Sequence, residues 1–362
     1  MPNTTVPELC VVIPVLNEHA NVAPMVARLE VVLAGIDWEV MFVDDDSTDD
    51  TCAAVREAAS ANRRVRLLHR IGRRGLASAF IEGAQASLAT NIAAIDGDLQ
   101  HDEALLPRML AVLRASEADI VVGSRHVEGG GMGEFGAARV GMSNFATMLT
   151  RPLLRTPLGD PMSGFFMLPR AVFDRAVRRL SAMGFKILLD IVASLPEPPR
   201  IAELPYEFRS RLHGESKLDA GVLRDYLLLI VDKLIGHILP VRFVLFAGVG
   251  AVGIAAHLLA LRLCLATLGL EFAAAQTVAT AVAILGNFLL NNIFTFRDRR
   301  LKGGRFFTRL ATFAAISAVG AAANINVSAL LFGPAHSSWY VAGFAGAAMS
   351  LVWNYAVSSA VT

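Results

Sequence analysis

Two acidic groups have the residue types and spacing that chemistry could use. Asp96-Gly97-Asp98-Leu99-Gln100 puts two carboxylates two positions apart, with an amide two further on. Carboxylates that close repel one another, and a bound divalent cation is the usual relief. The oxygen donors of Asp96, Asp98 and Gln100 suit Mg2+ or Mn2+, which often bridge protein carboxylates and substrate phosphates. Gly97 would let a ligand approach the backbone closely. The same run also reads as a polar turn, with Asp102 capping the next helix. Asp44, Asp45 and Asp46 form the second group, and it too could be no more than a helix cap and a soluble surface. Together on one sheet edge, the two groups favour a nucleotide–metal site.

The elements around them alternate. Apolar runs at residues 9–15, 38–43, 65–68, 91–95 and 120–123 read as buried strands. Residues 17–33, 49–61, 75–89 and 103–115 read as helices, with Ser47 and Thr48 supplying cap oxygens for the second. This alternation argues a doubly wound, mostly parallel sheet, in which ligands bind beyond the carboxyl ends of the strands. Both acidic groups follow strands. No G-x-G-x-x-G follows the first strand and no Walker A lysine loop is present, so dinucleotide and P-loop readings are weak.

Composition divides the chain. Of 362 residues, 54% are hydrophobic and 18% charged, with a net charge of +1. That is too apolar for an ordinary soluble or disordered protein. Residues 241–362 hold eight basic and two acidic side chains, and residues 1–240 hold 25 basic and 30 acidic, so a soluble front part joins a membrane back part. The slightly acidic front, without a long basic run, argues against nucleic-acid binding. Cys10, Cys52 and Cys264 give no disulfide framework and no zinc spacing. The N-terminus lacks a signal-peptide pattern, so the front domain is expected in the cytosol.

Four apolar stretches, at 243–268, 272–294, 306–331 and 339–361, are each long enough to cross about 30 Å of hydrocarbon. The connector with Arg297, Arg299, Arg300, Lys302 and Arg305 is expected on the cytoplasmic side, which returns both termini there. Gly248, Gly250, Gly253, Gly286, Gly320, Gly343 and Gly346 would let helices pack closely, and Asn287, Asn291, Asn292, Asn324, Asn326 and Asn354 would bond between them.

Several ordered blocks carry a resemblance. They are Pro14-Val15-Leu16-Asn17-Glu18, Val43-Asp44-Asp45-Asp46-Ser47, Gly75-Leu76 with Ala79 and Gly83, Asp96 to His101, Gly123-Ser124-Arg125, Asp160 to Phe166, and Gly214-Glu215-Ser216-Lys217-Leu218. In these blocks the chain resembles glycosyltransferase family 2, of the polyprenyl-phosphate (dolichol-phosphate) mannose synthase type, and its back part resembles the GtrA-like membrane module. The resemblance implies an α/β GT-A domain over residues 1–217, an amphipathic interfacial linker helix over 218–240, and four transmembrane helices over 241–362. It implies a nucleotide-sugar across the strand ends. Pro14, Leu16, Glu18, Val43, Asp44 and Asp46 would contact base and ribose. Asp96, Gly97, Asp98 and Gln100 would surround the diphosphate and a Mg2+ or Mn2+ ion, and Asp96, Asp98 and Gln100 form the implied metal set. Arg125, Arg139 and Ser143 would hold the acceptor phosphate, with Arg211 and Lys217 on the donor; Asp98, Arg125, Arg211 and Lys217 form the implied catalytic set.

The implied acceptor, a polyprenyl phosphate, is already ionised at neutral pH and needs no strong general base. The difficulty is bringing one anion to another, which positive side chains relieve. The family's single displacement inverts the sugar carbon. Residues 139–155 and 218–239 read as amphipathic interfacial helices that would hold the site at the membrane. The glycine-rich stretch 126–134 reads as a mobile loop over the site. Asp190 stands where relatives often have Glu, and Gly97 where they often have Ala. The implied reaction uses GDP-mannose, with a UDP-sugar such as UDP-glucose as the alternative donor. A lipid-linked sugar translocation protein is the competing class. The implied location is the cytoplasmic membrane, with the front domain and both termini inside.

Overall fold

Five short runs of apolar residues become strands, four of them almost wholly buried and the edge strand at 65–69 partly exposed. β1 (Leu9–Val15) is an inner strand, paired in parallel with β2 (Trp38–Asp44) and β4 (Asn91–Ala94), and β2 pairs in parallel with β3 (Val65–His69). This computed structural model describes residues 6–131, 150, 154–181, 186–209, 229, 230, 232, 233, 241–270, 272–295, 304–332, 349, 351–357 and 359. They belong to two compact units, Met1–Leu234 and Ile235–Thr362.

With β5 (Ile120–Ser124), β6 (Phe166–Pro169) and β7 (Ile201–Pro205), the sheet of the first unit has seven strands in the order β3-β2-β1-β4-β6-β5-β7. Two of them were not legible as strands. β6 runs antiparallel between β4 and β5, and β7 pairs in parallel with β5. The sheet is mixed, with four parallel and two antiparallel pairings.

Period-two side chains feed two cores. Leu9, Val11, Ile13 and Val15 face α1 (His19–Val32), α2 (Thr51–Ala61) and α4 (Leu106–Arg114). Cys10 and Val12 face α3 (Leu76–Gln85), α5 (Arg170–Ala176) and α6 (Ile187–Ser194). Helices on both faces make the doubly wound arrangement and explain why the inner strands are largely apolar.

Two local expectations are corrected. The helix read over 75–89 ends at Gln85, because Arg170 takes the Ala84 and Ala89 carbonyls at 3.0 and 2.8 Å and Ser87 Oγ accepts from Ala89 N. Ser47 and Thr48 do not cap α2, whose cap residue Asp50 makes no side-chain capping bond. Ser47 Oγ instead donates to Asp44 Oδ2 and accepts from Asn17 N. Asp102 does cap the turn before α4, accepting from Ala104 N.

In the second unit α7 (Val241–Thr267), α8 (Phe272–Leu290) and α9 (Gly304–Phe332) cover three of the expected apolar stretches. By length and composition, Phe243–Thr267 is the one helix among the described residues that could cross a membrane, and Ala281–Ile293 and Phe306–Gly320 are shorter apolar helices. Most of the fourth stretch lies outside the described residues. Phe246, Phe288 and Phe313 pack with Tyr355. Gly253 lies against the Asn287 amide and Gly320 against the Asn354 amide, too close for any side chain larger than hydrogen. Gly253 and Gly320, Asn287 and Asn354, and Phe246 and Phe313 are each 67 residues apart, so one packing motif occurs twice.

A Cβ at Gly83 on α3 would stand 2.7 Å from both Val12 Cγ1 and Val43 Cγ2. β-Branched neighbours cannot swing aside. Gly83→Ala should therefore destabilise the front domain by about 1–2 kcal/mol despite a helix-propensity gain of about 1 kcal/mol, read as a fall in melting temperature.

Candidate active site

Register brings the chemistry together. Val15 stands opposite Asp44, and Asp44 opposite His69, so β1, β2 and β3 end level on one edge. β4 ends there two residues before Asp96, and β5 at Ser124 beside Arg125. Three non-glycine residues at this edge have left-handed backbones, Asn17 (φ 54), Asp46 (φ 63) and Leu99 (φ 62). Asn and Asp tolerate that region, but for Leu it costs on the order of 1 kcal/mol. Leu99 is buried in the first core, and that anchor holds the turn which presents Asp98 and Gln100.

The first two loops are bound together. Asn17 Oδ1 accepts from Thr48 N at 2.8 Å, and Glu18 N donates to Thr51 Oγ1 at 2.9 Å. Asp44 is fully buried and accepts from Ser47 N. Its neighbour Asp45 is structural: it takes Arg70 Nη1 at 2.8 Å and Gly75 N at 2.6 Å. Burial raises its carboxyl pKa, against the pull of Gly75 and Arg70. Asp46 accepts from Gly72 N, and His69 lies 3.6 Å from Asp44 and 3.7 Å from Asp46. Cys52 completes a group of possible metal donors with Asp44 and His69. Burial and a hydrogen bond to Asp44 push its thiol up to about 11, so it is a neutral donor to Asp44.

Asp96 Oδ2 bonds His101 Nε2 at 3.0 Å, while His101 Nδ1 meets the buried Tyr206 hydroxyl at 2.8 Å. Burial alone would raise the Asp96 carboxyl, but His101, with Lys186 and Arg125, holds it below the usual range. Gln100 Nε2 donates to Arg209 O and Gln100 O accepts from Arg209 N. With that nitrogen engaged, the Gln100 oxygen is the atom able to ligate. Two carboxylates and one amide oxygen in a single five-residue turn fit a hard divalent cation.

On the other side of Asp96 lies the 160–165 turn. A Cβ on Gly164 would be 2.9 Å from Asp96 Oδ2. Arg125 grips the buried Asp160 with two parallel bonds, Nε to Oδ2 at 2.8 Å and Nη2 to Oδ1 at 3.0 Å, and lies 5.4 Å from the Phe208 ring centre. Arg125 holds the Asp160 carboxyl below its usual range against the opposing effect of burial. Lys186 Nζ donates to Met162 O at 2.9 Å. Burial and then Arg125 push its pKa down to about 8.

Pro14, Leu16, Glu18, Asp44, Asp46, Asp96, Asp98, Gln100 and Arg125 thus stand on one edge. Val43 is fully buried beneath α3, so its side chain serves the core. Gly97 is explained by packing, not by an approaching ligand: a Cβ there would lie 2.8 Å from Val15 Cγ1. Of the stretch 126–134, read as a mobile loop, the described part ends at Gly131, which bonds Tyr206 O and Phe208 N. Arg139, Ser143, Arg211 and Lys217 lie outside the described residues. Sequence reasoning gave no role to His101, Tyr206, Asp160 or Lys186. His101 and Asp160 sat inside quoted blocks, but Tyr206 and Lys186 reach the site only through folding.

Comparison with known proteins follows the same division. The family described as "Glycosyl transferase family 2" matches residues 10–176, and "GtrA/DPMS, transmembrane domain" matches residues 245–362. A dolichol-phosphate mannosyltransferase of Pyrococcus furiosus is 33% identical over 98% of this chain and 99% of its own length. One from Saccharomyces cerevisiae is 34% identical over 61% of this chain and 84% of its own. Among solved structures, glucosyl-3-phosphoglycerate synthase from Mycobacterium tuberculosis with Mn2+ and UDP aligns at a TM-score of 0.47 and 18% identity, covering 63% of this chain and 80% of that one.

Asp160→Asn leaves Arg125 without its counter-charge. Melting temperature should fall by about 6–12 °C at neutral pH, the effect of breaking a buried pair. Because the folded-state pKa is lowered, the gap between variant and wild type is full above the ordinary value of 3.8 and closes as pH falls through the lower folded value.

Proposed function

Since the chain belongs to glycosyltransferase family 2 and carries a GtrA/DPMS transmembrane domain, it is a glycosyltransferase, and we propose that it transfers mannose from GDP-mannose to a dolichyl-type polyprenyl phosphate. One observation carries this reading. The turn that carries the oxygen donors Asp96, Asp98 and Gln100 has the cations Arg125 and Lys186 acting on Asp96, a place suited to a diphosphate and a second anion together. The names of the relatives support the sugar and the lipid.

In this reading base and ribose lie along Pro14, Leu16, Glu18, Asp44 and Asp46. Asp45 takes no part, since Arg70 and Gly75 occupy it. A Mg2+ or Mn2+ ion held by Asp96, Asp98 and Gln100 would neutralise charge on the departing nucleoside diphosphate. His101 and Tyr206 orient Asp96 from behind. Asp160 orients Arg125, whose guanidinium, with Arg139 and Ser143, offsets the acceptor phosphate. Arg211 and Lys217 take the donor diphosphate. The phosphate oxygen attacks the sugar carbon, the bond to the diphosphate breaks, and configuration inverts. The catalytic domain over 1–217, the linker 218–240, the four spans of 241–362 and a cytoplasmic catalytic face complete the proposal. The basic connector supports that orientation.

Purified full-length protein with Mn2+, a short polyprenyl phosphate and a panel of nucleotide-sugars tests it. GDP-mannose should be consumed and a β-linked mannosyl lipid formed. Consumption of a UDP-sugar instead replaces the donor, and no consumption of any donor sinks the reading. Asp98→Ala should cut turnover by about 10²–10³-fold, as removal of transition-state charge stabilisation does; unchanged transfer would remove the metal from the account.

A further inference from the structure

Away from the donor edge, one buried ion pair has no role in the chemistry described so far. Asp190 on α6 is fully buried and accepts from Ser181 N at 2.9 Å, Ser181 Oγ at 2.8 Å, Ser194 Oγ at 3.3 Å and Lys233 Nζ at 2.5 Å. Lys233, its side chain 9% exposed, also donates to Arg179 O at 3.0 Å and Ser194 Oγ at 2.8 Å. An ammonium has three N–H bonds, and here all three have acceptors. Beside the pair, Leu229 and Ile230 pack on Leu189 of α6, with Leu154 and Met162 around them.

These contacts share an address. Lys186 immediately precedes α6, and its carbonyl accepts from Asp190 N, one helical turn on. Met162, which touches the Leu229–Ile230 cluster through its side chain, takes the Lys186 ammonium on its carbonyl. Leu229, Ile230 and Lys233 are thus bound to the helix and turn that hold Lys186. In sequence, Lys233 comes eight positions before Val241, where the first long apolar helix begins.

A buried pair of this kind adds little net stability over apolar residues of the same size, but it is directional. An apolar contact tolerates sliding, whereas three directed hydrogen bonds from one ammonium allow one register. We propose that the Asp190–Lys233 pair is a positioning device for the lipid acceptor, locking the chain that leads into the first apolar helix to α6 and the Lys186 end of the site. This rests on the lipid-phosphate reading above. Asp190 and Lys233 are positioning residues and touch no substrate.

Asp190→Asn, Lys233→Met and the double variant, each in the full-length protein in lipid nanodiscs, test it. Either single change strands one buried partner, and the double change removes both charges, so the double variant should recover thermal stability. If the pair positions, amide exchange at residues 229–233 rises in all three. The KM for polyprenyl phosphate rises roughly fivefold, with the KM for the nucleotide-sugar unchanged, in the double variant as well. Lys233→Arg, which keeps the charge, should stay nearer to wild type. Wild-type exchange at 229–233 in the double variant, or an acceptor KM that recovers along with stability, overturns the proposal. A wild-type protein that transfers to no polyprenyl phosphate would instead defeat the functional reading, and the exchange measurement would still decide whether the lock exists.

Discussion

The parallel register of β1, β2, β3 and β4 is the constraint on which the rest depends. Parallel strands that start level also finish level, and their crossover helices must then leave from one edge. Val15, Asp44 and His69 stand in a row at that edge, and the turns that follow cannot bury their polar groups in the sheet. They bond to each other instead, Asn17 to Thr48 and Glu18 to Thr51. A slip of one residue in β2 would exchange the side chains it gives to the two cores and carry Asp44 off this row.

Concentrated acid at one edge is tolerable because the carboxylates divide their work. Asp45 and Asp160 are neutralised by Arg70 and by Arg125, and those pairs shape the loops. Asp96 is steered by His101. The buried Leu99 holds the same turn from below at the expense of a left-handed backbone, a strain typical of sites whose surroundings over-determine one conformation. Neighbouring acids of one type therefore differ in function according to the partners folding gives them.

The same logic governs the apolar unit. In a hydrocarbon setting there is no water to drive helices together, so close packing and polar contacts must do it. Gly253 against Asn287 and Gly320 against Asn354 are one solution used twice at one spacing. Each glycine admits a partner that any side chain would displace.

Much of this is written locally in the sequence. The apolar runs at 38–43 and 91–95, the acidic turns after them and the long apolar stretches beyond residue 240 follow from composition and periodicity, because burial acts on short windows of chain. The motif blocks also announce the family. Folding alone decided the rest. β6 and β7 became strands by filling gaps in a sheet, which no local pattern of four or five residues specifies. Val43 and Gly97 proved to serve packing, since the atoms that crowd them come from α3 and β1. Lys186 and Tyr206 reach the surroundings of Asp96 from 90 and 110 residues away, through Met162 and His101, and Lys233 meets Asp190 across 43. Sequence fixes which charges exist, but what each one does depends on distance and desolvation, and those exist only once the chain is packed.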